Sequence, residues 1–86
     1  MARTDDELYM DTMQRFLDLV NTIKDEGIEP RQVSVGLMTA SAMYATYAIA
    51  GNDGRLTPEG TAKLAEAYKQ QVDQVQLAKS ERKKNT

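Results

Sequence analysis

The chain has 86 residues, enough for one small domain. Its charged fraction of 28% and hydrophobic fraction of 41% argue against both a strongly charged disordered chain and a membrane protein. Cysteine, histidine and tryptophan are absent. Disulfides and thiolate metal sites are thereby excluded, and so are the commonest metal ligand and the usual general base. The composition argues against an enzyme and calls for no cofactor.

The formal net charge of −2 gives no general pull toward nucleic acid or acidic lipid. The charge is unevenly placed. Residues 1–30 hold eight acids and three bases, and the end of the chain holds Lys79, Arg82, Lys83 and Lys84 against Glu81. Acids near helix starts and bases near helix ends complement the helix dipole, which accounts for most of this asymmetry.

The first helix is signalled over about residues 5–26. Thr4 can cap its start, and Glu7 three residues on completes a capping-box pattern. Tyr9, Met13, Phe16, Val20 and Ile23 recur at spacings of four, three, four and three, with Met10 and Leu17 widening the stripe. Asp11 and Arg15 are spaced to pair across one turn. Gly27 supplies a left-handed stop.

Pro30 suits the first turn of a second helix over about 30–50. This helix is apolar or small on nearly every side, and the 21 residues from Gln32 to Asn52 carry no charge. That length could span a bilayer. However, Ser34, Gly36, Thr39, Ser41 and Thr46, together with alanines and tyrosines in place of leucines, favour a buried soluble helix. With no apolar leader behind the first residues, a cytoplasmic protein is the expectation. A helix apolar all round needs cover all round, more than two neighbours in a small monomer easily give. The expected arrangement is therefore an all-α, antiparallel three-helix bundle, with the second helix at the centre of a two-fold homodimer. Small residues that let a backbone approach, namely Gly36, Ala40, Ser41, Ala45 and Ala48, are candidate interface positions. Met38, Met43, Tyr44 and Tyr47 join them, either in that interface or around a pocket for an apolar ligand.

Gly51 to Leu56 is rich in turn formers, and Thr57 with Pro58 opens a third helix over about 58–78. Ala65, Tyr68, Val72 and Val75 form its apolar stripe, with Leu64 alongside. Beyond Leu77 the pattern ends, and residues 79–86 read as a basic, flexible tail. The single domain is then 1–78.

Other motifs are weaker. If Gly54 is the sixth position of a calcium loop, Asp53 fits the fifth, but positions one, three and twelve fall on Ile49, Gly51 and Gly60. A DNA-reading helix is not apparent. The second helix is too apolar, and Lys63 and Lys69 on the third are offset by Glu59, Glu66 and Asp73. Weak nucleic-acid binding would rest on the basic tail alone.

Asp6-Glu7-Leu8-Tyr9, the run Phe16 to Asn21, the run Val33 to Ala42 followed by Tyr44, and Ala67-Tyr68-Lys69 resemble a family of small uncharacterised bacterial helical proteins, grouped as a domain of unknown function. The resemblance spans most of residues 5–70. It implies a bacterial origin and a helical fold, and it brings no activity. Where that family carries an arginine and an asparagine in the middle of the second helix, this chain has Met43 and Thr46.

Overall fold

A computed structural model describes residues 2–84, with side chains through Arg82. The protein is all-α: α1 runs Asp5–Asp25, α2 Pro30–Ala50 and α3 Pro58–Lys84, and there is no strand among the described residues. The chain divides into two units, residues 1–45 and residues 46–86, so α2 passes from one into the other.

In the first unit, α1 begins as its sequence dictates. The Thr4 hydroxyl accepts the Glu7 backbone N–H at 3.1 Å, and the Thr4 backbone N–H donates to Glu7 Oε1 at 3.1 Å. Two amide donors left over at the helix start are satisfied in this way. The two Thr4 donors also hold the Glu7 carboxyl below its ordinary pKa, the backbone N–H more strongly than the hydroxyl. Asp11 is engaged by Arg3 at 3.7 Å, in place of the expected Asp11–Arg15 pair. Arg3 precedes the helix and reaches back along it, also donating to the Glu7 carbonyl at 3.3 Å. At its other end α1 stops where Gly27 takes φ 96°, with its N–H on the Lys24 carbonyl at 2.9 Å. Val33 then donates to the Glu29 carbonyl at 3.1 Å, the first backbone bond of α2.

In the second unit, α2 ends at Gly51, whose φ of 82° suits glycine and whose N–H closes on the Tyr47 carbonyl at 2.8 Å. Gly54 folds so tightly over the end of α2 that a Cβ there would collide with the Ala50 carbonyl oxygen. Thr57 caps α3 by accepting the Gly60 N–H at 3.0 Å. The helix continues to Lys84, beyond the expected end near residue 78. The start of the segment read as a flexible tail is therefore helical. Ala78, Lys79, Glu81 and Arg82 are good helix formers, and an established helix extends by one hydrogen bond per added residue without a new nucleus. The last two tail positions lie outside the described residues.

No described side chain is buried. Only Met13, Val20, Ile23, Val33, Ala45, Thr46, Ala50, Leu56, Gly60 and Leu64 are half-buried. The apolar stripes of all three helices are correctly patterned, yet none is closed over.

Candidate interaction surface

Unit one contains a shallow cleft of about 180 Å³ lined by Val20, Lys24, Pro30, Val33, Ser34 and Leu37. It marks the side of α2 that meets α1. At 3.6 residues per turn, Val33, Leu37 and Ser34 share one side of α2. Gly36, Ala40, Met43 and Tyr47 lie along one flank of that side. Met38 and Ala45 lie along the other, while Ser41 and Ala48 fall at angles between Leu37 and Ser34. The nine expected interface positions are thus spread over more than one face of α2, as the spacing of its small residues implies, and Tyr44 falls at an angle between Val33 and Leu37. Met38 and Met43 sit about 140° apart around the helix, so the four residues proposed for a ligand pocket do not share a face. None of them lines the cleft.

These residues are open to solvent to a degree unusual for their chemistry. Met43 and Tyr44 are each 70% exposed, and only Ala45 among the nine is half-buried. Around Gly36 there is open space, with nothing within 4 Å of where a Cβ would stand. On the side of α2 turned away from the cleft, Val35 and Ile49 are also exposed, Ile49 at 65%. Sequence reading counted both as apolar without selecting them. Their importance depends on which side of α2 meets α1, and an all-apolar helix carries no polar face from which to infer that.

Two residues of α1 were missed in a similar way. Leu8 and Leu19 fall outside the expected stripe, yet they extend the apolar side of α1 to an arc of about 200° at 100° per residue. They are 46% and 56% exposed. A helix packed on one neighbour typically shows an apolar stripe of roughly 100°. The extra half of this arc could have been read from the positions of Leu8 and Leu19 next to Phe16.

The electrostatics are those of a solvated surface. Lys69 and Asp73 pair at 2.8 Å across one turn of α3, and Gln14 donates to Asp18 at 2.8 Å on α1. Both partners of the Arg3–Asp11 and Lys69–Asp73 pairs are well exposed, so these pairs add little stability. Among the described residues no three acidic groups gather as metal ligands do. By length and composition alone α2 could cross a membrane, with a mean hydropathy of 1.3 over its most apolar window. Comparison with family models, curated proteins and solved structures finds no match.

Proposed function

We propose that the chain is a non-enzymatic helical interaction module that works as a homodimer in the cytoplasm, with its helices packed antiparallel and α2 at the dimer centre. One observation supports this reading above the rest: α2 is apolar around its whole circumference, and no described residue of the chain is buried. Burying apolar surface is the main favourable term in folding, about 25 cal/mol per Å². A chain that leaves its apolar side chains wet lacks that term until something covers them.

A bilayer would also cover α2, and its length permits it. It would leave the apolar stripes of α1 and α3 unaddressed, because both helices also carry many charges. A second copy supplies apolar cover for all three helices at once, which favours the homodimer.

Light scattering on the purified chain tests the reading. The expected mass is about twice 9.6 kDa at tens of micromolar. A monomer with a cooperative thermal transition at that concentration would refute it. Two variants localise the contact: Ala45→Glu on one flank strip, and Val35→Glu on the exposed side, where the single chain offers no clash. Both should shift the chain toward monomer. Recovery of the untagged protein in the membrane pellet, released only by detergent, would instead favour the bilayer.

A further inference from the structure

We infer that the homodimer proposed above is joined by two copies of α2 that cross antiparallel at Ala42, through the side of α2 turned away from the cleft. The inference rests on that homodimer and adds the face, the direction and the register of its seam.

The face is fixed by spacing along one continuous helix. Val35, Met38, Ala42, Ala45 and Ile49 recur at three, four, three and four residues, the repeat of a helix–helix seam. They occupy an arc of about 80° at 100° per residue. Val33 and Leu37, which line the cleft, lie on the opposite side of the helix. Val35, Met38, Ala42 and Ile49 are exposed, and Ala45 is half-buried. The central residues of this face are alanines and the outer ones are large. Two such helices approach closely at the middle and diverge toward Val35 and Ile49, where the larger side chains fill the space.

A second copy is the occupant because the match is of α2 with itself. Val35 and Ile49 stand seven residues either side of Ala42, Arg31 and Asp53 eleven, and Glu29 and Arg55 thirteen. An antiparallel two-fold centred on Ala42 therefore sets Val35 beside the partner's Ile49. The same two-fold brings Arg31 toward the partner's Asp53 and Glu29 toward the partner's Arg55. Each pairing occurs twice, as a self-complementary interface requires. All four charged residues are exposed, and among the described residues none of them forms an ion pair within the chain. One chain holds a single α2, so this mirror symmetry is answered only by another copy.

The direction follows from the helix dipole. α2 has no acid in its first turn and no base in its last, so its own side chains leave both ends uncompensated. Arg31, in the first turn, adds to the positive end. Parallel copies would set like ends side by side and Arg31 against Arg31. Antiparallel copies set the start of each helix beside the end of the other, where opposite charges meet. The apolar and the charged matches share one register.

The test is disulfide trapping, which this chain suits because it has no native cysteine. Full-length Val35→Cys and Ile49→Cys proteins are made separately, mixed in equal amounts and oxidised mildly, and the mass of the parent chain is measured at the same concentration. Within one helix the two positions are about 21 Å apart, beyond the reach of a disulfide. The inference expects a dimeric mass, trapping in the mixture, and trapping at least about tenfold slower for either variant alone. It also expects Ala42→Cys to trap with itself. As a second measurement, Arg31→Asp and Asp53→Arg should each weaken association several-fold, and the double variant should recover it. Faster trapping of either variant alone than of the mixture overturns the antiparallel direction, as does a double variant no tighter than the single ones. A dimeric mass with no trapping at any of the three positions overturns the seam. Each of these results leaves the homodimer standing, whereas a monomeric mass overturns both.

Discussion

α1 and α2 are the same length, 21 residues, and are specified in different ways. α1 carries its own instructions. It has a capping box at one end, a positive-φ glycine past the other, acids in the first turn, Lys24 in the last, and a polar side along Asp11, Gln14 and Asp18. α2 has neither acids in its first turn nor bases in its last, and no charged residue after Arg31. Nothing within it says which side should face water. The difference teaches that α1 is defined locally, whereas α2 carries no local signal that assigns its sides.

The comparison is broken most sharply by charge. Val35→Glu should weaken association about a hundredfold, ~2.8 kcal/mol, because a carboxylate in an apolar seam has no partner. An equivalent charge on the wet side of α1, Gln14→Glu, should leave the dissociation constant within about twofold, since an exposed charge is largely screened. Sedimentation of the two variants side by side measures the contrast. If both behave like the parent, α2 is not the seam.

Gly54→Ala tests the far end of α2. The added methyl meets the Ala50 carbonyl oxygen, so the turn must open. A loss of about 1–3 kcal/mol is expected in urea unfolding, as for other overpacked sites. Gly36→Ala is the control: the site is open and glycine disfavours helix, so this change should leave the helix more stable, by up to about 1 kcal/mol.

Thr4→Ala should cost about 1 kcal/mol by removing the cap of α1. It should also raise the Glu7 titration midpoint toward the ordinary glutamate value, read by carbon-detected NMR. The sign follows from the lowered pKa. The ionised Glu7 is favoured in the folded chain, so its contribution is present above the usual glutamate range and is lost as pH falls through the folded value. The smallest effect belongs to α3. Asp73→Asn removes an exposed pair with Lys69 and should cost only a few tenths of a kcal/mol.

Sequence alone was sufficient wherever the controlling groups lie within one turn of each other. Thr4 with Glu7, Gly27 after α1 and Thr57 before α3 all stand where the residue pattern puts them, because a cap is a bond between groups three or four residues apart. The three helices and the uncharged character of α2 were legible for the same reason. What the three-dimensional arrangement decided depends on contacts between elements. It set which side of α2 meets α1, and so the exposure of Val35 and Ile49. The Arg3–Asp11 pair and the run of α3 to Lys84 are, by contrast, local outcomes within single elements that the residue pattern did not single out. Periodicity states that a side chain is apolar and where it sits around its own helix. Whether that side chain is covered depends on a surface brought from elsewhere, and here every apolar stripe was readable while its covering partner was not.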